Sequence, residues 1–273
     1  MDDFWSGRTV VVSGAARGQG AAEVRALFDA GACVIALDLD DDPAHWEGLC
    51  EHCRSDPQRL RIQALDVADE VAWAALAGRL RAEGVALHGL INNAGITLRK
   101  TVTQTSAPEW ERVMAVNLSG AFFAIHHLAG LMPAGASIVN ISSTAGLTGY
   151  FSAAYTASKW GLRGLTKAAA IELAQRQIRV NCICPGLVDT PMTRTPNAEH
   201  DAARAAQFYE GNRLATPLGR GADPQEIAQV ALFLLSPQSS YITAADIPVE
   251  GGMIGGGLYW QIGLRSGSLQ AGA

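Results

Sequence analysis

The sequence predicts one α/β domain, residues 1–273, built on a doubly wound parallel sheet of seven strands with helices on both faces. Short runs of branched and apolar residues alternate with longer amphipathic segments along the chain. No linker, repeat or low-complexity tract interrupts this alternation. Apolar residues make up 48% of the chain and charged residues 17%, so it can bury a substantial core. Strands that alternate with helices pair in parallel, and the helices then cover both faces of the sheet.

The predicted strands are short and apolar, as expected of strands that are buried on both faces. They span residues 9–12, 33–37, 61–65, 89–92, 137–141, 179–183 and 247–249. Amphipathic segments with helical spacing fall between the strands, at residues 21–30, 68–82, 109–131, 153–175 and 224–235. The chain therefore returns to the sheet after each helix, as in successive strand–helix–strand units.

Two segments depart from this rhythm. Residues 190–217 are polar and rich in threonine, proline and alanine, and they predict a substrate loop with a short helix over 199–209. Residues 253–273 form a C-terminal tail that starts with glycines and continues into Leu258-Tyr259-Trp260. Such a tail either reaches a neighbouring subunit or frays, and residues 265–273 are predicted to be disordered.

The charge of the chain excludes two classes of partner. A net charge of −5 and a pI near 5.7 offer no basic surface for nucleic acid or for an anionic membrane. Residues 113–158 contain no Asp, Glu, Lys or Arg, yet polar residues divide this stretch into pieces too short to cross a bilayer. We expect the stretch to be buried within the domain or between subunits.

The cysteines and the first residues indicate a reducing cytoplasm. The five cysteines are odd in number, and the chain starts without a basic and apolar signal segment. Cys50 and Cys53 resemble half of a metal site, but no second close pair accompanies them, so no metal is predicted. Cys182 and Cys184 alternate with isoleucine, which is typical of a buried strand where cysteine packs as a small apolar residue.

A glycine-rich turn follows the first predicted strand and leads into a helix. Gly14, Gly18 and Gly20 let the backbone turn tightly and approach a pyrophosphate, which the first N–H groups of the helix attract. Arg17 and Gln19 lie among these glycines and are predicted to contact the same ligand. An ordinary turn is the alternative, but the position in the first strand–turn–helix unit favours a dinucleotide site.

The second strand ends in Asp38, 18 residues after Gly20, and Leu39 follows. An acid at this distance can accept hydrogen bonds from both ribose hydroxyls of NAD, and its charge would repel the 2′-phosphate of NADP. A solvated acid among other acids is the alternative, and Arg17 would favour a phosphate. The sequence favours NAD because Asp38 lies at the strand end itself.

The later strands also end in small or hydrogen-bonding residues. The carboxyl ends of parallel strands share one edge of the sheet, where open sheets bind ligands. Turn chemistry explains each of these residues singly, whereas together they predict further cofactor contacts. They are Asp66 and Val67 after the third strand, Asn93, Ala94 and Gly95 after the fourth, and Pro185, Gly186, Val188 and Thr190 after the sixth.

Tyr155 and Lys159 are four residues apart on a predicted helix and therefore share one of its faces. Tyrosine is a poor acid or base near neutral pH because its pKa is about 10, and a nearby positive charge lowers that pKa. With 5 Tyr and 3 Lys in the chain, about 0.05 such pairs are expected by chance. The pair predicts proton transfer at one substrate atom, and it would share the dinucleotide site.

These motifs, in this order, resemble the short-chain dehydrogenase/reductase family in its single-domain form, a Rossmann fold, over about residues 7–252. The resemblance implies that Tyr155 is the general acid and base. It implies that Lys159 holds the cofactor ribose and lowers the tyrosine pKa. It also implies that Asn117 holds a water that links Lys159 to solvent.

The same resemblance implies a serine that hydrogen-bonds the substrate oxygen. Ser142 and Ser143 are both candidates, and Ser143 is favoured because it directly precedes the Thr-Ala-Gly turn. Ser13 stands where the family usually has threonine, a change that keeps the hydroxyl. The family also implies a homotetramer in which residues 109–131 and 153–175 pair across subunits.

The implied function is an NAD-dependent oxidoreductase that transfers hydride between a nicotinamide cofactor and a secondary alcohol or ketone. Bacterial hydroxysteroid and cyclic-alcohol dehydrogenases are the members that the sequence resembles most. Apolar residues of the carboxyl-edge loops suit a ring or steroid-like substrate. They are Ile96, Leu98, Leu147, Tyr150, Phe151, Leu187, Met192 and Phe208.

Three alternatives stay open at this stage. Arg99, Arg194 and His200 would suit a substrate that carries an acid group. An NADPH-dependent 3-ketoacyl reductase is the second alternative, although Asp38 and the acidic pI count against it. The third is a catalytically silent NAD-binding or scaffolding protein, because a fold alone does not imply an activity.

Overall fold

Seven parallel strands form one sheet in the computed structural model, which describes residues 4–195 and 201–270. Every neighbouring pair of strands is parallel, and the order across the sheet is β3-β2-β1-β4-β5-β6-β7. The strands are β1 (Thr9–Ser13), β2 (Cys33–Asp38), β3 (Leu60–Ala64), β4 (Leu87–Asn92), β5 (Ser137–Ile141), β6 (Arg179–Pro185) and β7 (Asp246–Val249). The strand order reverses between β1 and β4, and doubly wound sheets bind ligands at that point.

Helices connect the strands and cover both faces of the sheet. They are α1 (Gly18–Asp29), α2 (Pro43–His52), α3 (Glu70–Ala82), α4 (Ala107–Met114), α5 (Gly120–Leu128), α6 (Ala153–Leu173), α7 (Pro191–Arg194), α8 (Ala202–Ala215), α9 (Pro224–Leu235) and α10 (Met253–Arg265). Short 3-10 turns occur at Pro57–Arg59, Ala129–Leu131, Thr144–Gly146, Ala174–Arg176 and Pro237–Ser239.

The alternation of side chains along the strands produces two cores, one on each face of the sheet. Val11 of β1 points to the face that is covered by α3, α5 and α6, where Trp73 and Leu128 are fully buried. Val10 and Val12 point to the opposite face, which is covered by α1, α2 and α9. The predicted doubly wound sheet with helices on both faces is confirmed.

The first part of the uncharged stretch, residues 113–158, lies in a longer continuous helix than its sequence suggests. A π-helical turn at Ala115–Ser119 joins α4 to α5, so that Ala107–Leu131 forms one helical run of 25 residues. By length and composition this run could cross a membrane, with a mean hydropathy of 1.3. Half of its most apolar window is buried inside the protein, and Ala124 and Leu128 pack in a core. The prediction of separate pieces is wrong because the π turn accommodates the polar residue Asn117 within the run.

Residues 253–265 of the C-terminal tail form a helix and residues 266–270 form turns, so fraying and disorder are wrong for these residues, whereas contact with a neighbouring subunit stays a prediction. Gly252, at a φ of 89°, starts α10, and Gly257 lies so close to the Ala215 carbonyl that a Cβ would be 2.5 Å from its oxygen. After the helix, the Leu269 N–H donates to the Gly263 carbonyl at 3.0 Å. The close approach of Gly257 to Ala215 of α8 places α10 beside the predicted substrate loop. Residues 271–273 lie outside the described residues.

Candidate active site

The glycine turn between β1 and α1 is packed too closely for side chains. A Cβ on Gly20 would lie 2.0 Å from the Gly14 carbonyl oxygen, and one on Gly14 would lie 2.8 Å from the Ala94 Cα. Gly14 and Gly18 also have positive φ angles of 66° and 57°. The first turn of α1 has no acidic residue and no side-chain cap from Arg17, so its N–H groups are suited to a pyrophosphate. The turn fits a dinucleotide.

The hydroxyl of Ser13 ties the glycine turn to the end of β4. Its oxygen accepts hydrogen bonds from the backbone N–H groups of Asn93 and Ala94, each at 3.2 Å. The Asn93 side chain returns the contact by donating to the carbonyls of Ser13 and Gly14 at 3.1 and 3.0 Å. Ser13 therefore performs the bridging that a threonine hydroxyl would perform at this position.

The carboxylate of Asp38 lies at the mouth of the turn. It accepts hydrogen bonds from the N–H groups of Ala16 at 2.9 Å and Asp40 at 3.2 Å, which fix its orientation. Leu39 beside it is 59% exposed, as an apolar wall for an adenine ring would be. Arg17, the cation that would favour a 2′-phosphate, lies 4.0 Å from the Asp40 carboxylate instead.

The remaining predicted cofactor residues line the same edge. Asp66 accepts a hydrogen bond from the Ala68 N–H at 2.9 Å, and the Val67 carbonyl accepts one from the Trp73 indole at 3.0 Å. At the end of β6, the Gly186 N–H donates to Val249, and a Cβ on Gly186 would lie 2.9 Å from Glu250. Pro185 ends β6, and Val188 and Thr190 follow Gly186 in the connection to α7. Gln19 lies in the first turn of α1, and Gly95 follows Ala94 after β4.

Lys159 is buried beneath Tyr155 on α6. Its ammonium donates to the Ile141 carbonyl at 2.8 Å and lies 5.7 Å from the centre of the tyrosine ring. Only 4% of Lys159 is exposed, and this burial lowers its pKa to about 8. A Cβ on Gly95 would touch both Lys159 Nζ and Asn117 Oδ1 at 3.4 Å, so these three residues are neighbours.

The phenol of Tyr155 differs from the sequence-based expectation. Burial raises its pKa above the usual value, and this effect outweighs the Ser143 hydrogen bond and the Arg99 charge, which both lower it. Burial, Ser143 and Arg99 account for this shift, so the expected effect of Lys159 on the pKa of the phenol stays a prediction. The cation that acts on the phenol here is Arg99.

The two adjacent serines point in different directions. The Ser142 hydroxyl is buried and donates to the Lys159 carbonyl at 2.9 Å, within the packing of α6. Ser143 accepts a hydrogen bond from the Ala145 N–H at 3.1 Å, and its hydroxyl lowers the pKa of the nearby Tyr155 phenol. The structure thus brings Ser143, rather than Ser142, to the predicted proton-transfer residue.

The side chain of Asn117 clamps the loop after β4. Its amide oxygen accepts from the Ile96 N–H at 2.8 Å, and its amide nitrogen donates to the Ile96 carbonyl at 3.0 Å and to Ser158 Oγ at 3.1 Å. These contacts fix the segment that follows Asn93, Ala94 and Gly95. The water predicted to bind at Asn117 remains a prediction.

The predicted substrate loop forms a lid of two helices, α7 and α8. Asp189, before α7, binds Arg194 at 3.0 Å and accepts a hydrogen bond from the Tyr209 hydroxyl of α8 at 2.6 Å. Arg194 also stacks on Tyr209, with 4.2 Å between the guanidinium carbon and the ring centre. The helix predicted over 199–209 begins at Ala202 and ends at Ala215, while residues 196–200, including His200, lie outside the described residues.

The two strand cysteines lie together on one face of β6. Cys182 and Cys184 are both buried, and their sulfur atoms and a carboxylate oxygen of Asp246 lie within 4.8 Å of one another. The Asp246 carboxylate is bound by Arg163 at 2.9 Å and by Lys167 at 2.6 Å. This arrangement fixes α6, which carries the proposed catalytic residues, to the edge of the sheet.

Sequence reasoning missed the burial of two ionisable residues, Glu23 and Arg99. Glu23 is completely buried one turn after Gln19, whose amide donates to it at 2.9 Å. Its acid side chain on the apolar face of α1 was the available signal. Arg99 was considered only for substrate binding, and its effect on Tyr155 depends on contacts across the fold that no local pattern reveals.

A doubly wound sheet that holds a glycine turn and a strand-end acid beside a tyrosine–serine pair defines a nicotinamide-dependent oxidoreductase. Comparison with known proteins then gives the family. A family model described as Enoyl-(Acyl carrier protein) reductase matches residues 14–254, and the chain belongs to the short-chain dehydrogenase/reductase family. It is accordingly a dehydrogenase that acts on CH–OH groups with NAD or NADP.

Individual relatives cover nearly the whole chain. The trans-4-hydroxycyclohexanecarboxylate dehydrogenase of Sinomonas cyclohexanicum is 38% identical over 94% of this chain and 96% of its own. The 3-alpha-(or 20-beta)-hydroxysteroid dehydrogenase of Mycobacterium bovis is 38% identical over 92% of this chain and 90% of its own. A crystal structure of a putative gluconate dehydrogenase from Agrobacterium tumefaciens has a TM-score of 0.80 at 32% identity, covering 92% of this chain and 97% of that one.

Proposed function

We propose that the protein is a cytoplasmic NAD-dependent dehydrogenase of small cyclic secondary alcohols and the corresponding ketones. The observation that carries this proposal is the meeting of Tyr155, Ser143 and the buried Lys159 at the carboxyl edge of the sheet, where Ser143 lowers the pKa of the Tyr155 phenol and Lys159 lies 5.7 Å from the centre of its ring. Two of the relatives act, by name, on a hydroxysteroid and a hydroxycyclohexane acid. Apolar residues of the carboxyl-edge loops, among them the buried Leu98 and Leu187, favour a hydrocarbon ring over a sugar.

The residues of the chain supply proton transfer and orientation. The nicotinamide cofactor, bound at the glycine turn, supplies the hydride acceptor or donor. Tyr155 takes the hydroxyl proton of the substrate during oxidation and returns it during reduction. Ser143 hydrogen-bonds the same oxygen and stabilises the charge that develops there. Lys159 holds a positive charge below the phenol and favours its ionised form once the substrate is in place.

The preference for NAD rests on Asp38. Its carboxylate is oriented at the ribose end of the turn, and the nearby cation Arg17 is drawn to Asp40. A 2′-phosphate would therefore meet a negative charge. Steady-state kinetics with both coenzymes test this preference, and a higher kcat/KM with NADP overturns it. Asp38→Asn should narrow the difference between the two coenzymes, because it removes the repelling charge.

A screen of secondary alcohols and ketones, monitored by NADH absorbance, tests the activity itself. Cyclic alcohols should be oxidised in the presence of NAD, whereas a silent scaffolding protein would turn over none of them. Tyr155→Phe, which should lose turnover, separates true turnover from a contaminating enzyme.

We also propose a homotetramer. The helical run Ala107–Leu131 and α6 expose large apolar side chains that a monomer would leave in water. Phe122 is 46% exposed, Trp160 48% and Ile171 76%. Size-exclusion chromatography with light scattering should give four times the mass of one chain, and a monomer at micromolar concentration would contradict the proposal.

A further inference from the structure

Two cysteines and an aspartate meet on the last two strands of the sheet. Cys182 and Cys184 are two positions apart on β6, so their side chains point to the same face. Asp246 of β7 pairs with Cys182 in the parallel register and shares that face. Both sulfur atoms and a carboxylate oxygen lie within 4.8 Å of one another, and both cysteines are fully buried. The sheet thus gathers three groups that can bind a metal ion.

The carboxylate of Asp246 is satisfied on one side only. Its Oδ2 accepts hydrogen bonds from Arg163 at 2.9 Å and from Lys167 at 2.6 Å, which hold the carboxylate in place. Its Oδ1 is buried and has no hydrogen-bond partner among the described residues. Because buried polar atoms are almost always partnered, an orphaned carboxylate oxygen points to a ligand. Oδ1 is therefore available to bind an ion.

The charges of this cluster suit a divalent cation. Asp246 carries one negative charge, and Arg163 and Lys167 carry one positive charge each. A divalent cation that binds both thiols replaces their two protons, which pass to solvent as the S–H bonds break and two metal–sulfur bonds form. The ion adds two positive charges and the thiolates add two negative charges. The net charge of the cluster stays the same, so binding introduces no unpaired charge into a buried region.

The donor atoms and their spacing favour Zn²⁺. Thiolates select soft cations, whereas Mg²⁺ and Ca²⁺ prefer oxygen ligands. Zn²⁺ binds sulfur at about 2.3 Å and a carboxylate oxygen at about 2.1 Å, so two of its ligands lie at most about 4.6 Å apart. The three donor atoms lie within 4.8 Å of one another, so small rotations of the side chains bring them to bonding distance. A water completes the tetrahedron.

The other close pair of cysteines lacks this arrangement. Cys50 is exposed and Cys53 is buried, so their side chains lie in different surroundings. Among the described residues, this pair gathers no third ligand at the spacing found around Cys182 and Cys184. The metal-binding character therefore lies with the strand cysteines rather than with the motif that the sequence suggests.

We propose that Cys182, Cys184 and Asp246 form a binding site for Zn²⁺. The ion would join β6 to β7 and stabilise that edge of the sheet. The proposal does not depend on the proposed function, because none of the three residues has a role in it. Binding should accordingly occur without NAD.

Metal titration of a variant that keeps only these two thiols tests the site. Cys33→Ser, Cys50→Ser and Cys53→Ala together leave Cys182 and Cys184 as the only cysteines of the chain. After dialysis against a chelator, this background variant should bind one equivalent of Zn²⁺ in calorimetry. One equivalent of Cd²⁺ should give the ultraviolet charge-transfer band of two thiolates. Zn²⁺ should also raise the melting temperature, because it binds the folded state.

Removal of single ligands in this background locates the ion. Cys182→Ala should weaken Zn²⁺ binding more than about a hundredfold and halve the charge-transfer band, since disturbing even the outer partners of metal ligands costs about tenfold to a hundredfold. Asp246→Asn keeps the shape of the side chain and should weaken binding at least about tenfold. Asp56→Asn is the matched control, because Asp56 also binds an arginine but lies before β3, at the opposite edge of the sheet. It should leave the affinity unchanged.

X-ray absorption spectroscopy of the wild-type protein with one equivalent of Zn²⁺ identifies the ligands without any variant. Two sulfur neighbours at about 2.3 Å and lighter atoms beside them support the site. Coordination without sulfur overturns it, as does a background variant that binds no Zn²⁺ or a Cys182→Ala variant of unchanged affinity. A disulfide between Cys182 and Cys184 in the freshly purified protein, found by alkylation and mass spectrometry, also overturns it.

Discussion

Glu23 is an acid buried in an apolar layer, and its replacement by glutamine should remove a loss of stability that the wild type undergoes as the pH rises. It lies on α1, is completely buried, and its Oε2 has no hydrogen-bond partner among the described residues. The amide of Gln19 donates to the other oxygen at 2.9 Å. Burial raises the pKa of Glu23 from 4.5 to about 8. The side chain is therefore protonated in the folded protein at neutral pH.

The sign and size of the effect follow from this pKa. Between pH 4.5 and pH 8 the unfolded chain loses the Glu23 proton and the folded protein keeps it. The folded state binds more protons, so the free energy of unfolding falls as the pH rises through this interval. Each pH unit contributes about 1.4 kcal/mol, and the interval of about 3.5 units gives about 5 kcal/mol as the upper limit. That is a large part of the stability of a typical domain.

Glu23→Gln removes this titration and keeps the shape of the protonated acid. The variant should match the wild type near pH 4.5 and become increasingly more stable than it towards pH 8. Lys159, whose pKa is lowered to about 8, destabilises the folded state below that pH in both proteins, so its effect cancels in the difference. Urea unfolding at a fixed protein concentration and at half-unit pH steps measures the difference.

Glu47→Gln is the matched control, because it removes the same group from an exposed position on α2. Its unfolding curve should run parallel to that of the wild type over the whole interval. A difference between wild type and Glu23→Gln that stays constant from pH 4.5 to pH 8 would show that Glu23 does not titrate as a buried acid.

Three further predictions concern the site. Tyr155→Phe should lower kcat about a hundredfold to ten-thousandfold, with NAD binding by fluorescence retained; a variant that keeps most of its kcat would contradict the assigned role. Ser13→Ala should lower the free energy of unfolding by about 1 kcal/mol because two partly buried N–H groups lose their acceptor, whereas Ser13→Thr should lose little. Gly20→Ala should abolish NAD binding in calorimetry because its Cβ would lie 2.0 Å from the Gly14 carbonyl oxygen, and unchanged affinity would refute that packing.

The residues at strand ends could be predicted from the sequence because a parallel sheet brings all carboxyl ends to one edge. Asp38 and Asn93 are 55 positions apart in the chain, yet alternation of strands and helices is enough to place both beside the glycine turn. The helical spacing of Tyr155 and Lys159 is local and needs no knowledge of the fold. In each of these cases periodicity determines the position.

Other features depend on contacts that no periodicity encodes. Arg99 meets Met192 and Phe208 across about a hundred residues of chain, and only the packing of the lid creates that meeting. The raised pKa of Tyr155 likewise reflects how much surrounding protein removes water from the phenol. The C-terminal α10 was missed because its glycines disfavour a helix in isolation, whereas packing against α8 stabilises it.

The π-helical turn at Ala115–Ser119 sets the rotational phase of the helical run. An α-helix advances by about 100° per residue, and a π turn accommodates one additional residue, so α5 is rotated by about that angle relative to α4. With this offset Asn117 faces the loop after β4 while Ala124 and Leu128 still face the core. Deleting one residue from the turn would restore regular hydrogen bonding but rotate one of these two faces away from its partner. A single inserted residue thus lets one helix serve two surfaces that a regular helix would hold out of register.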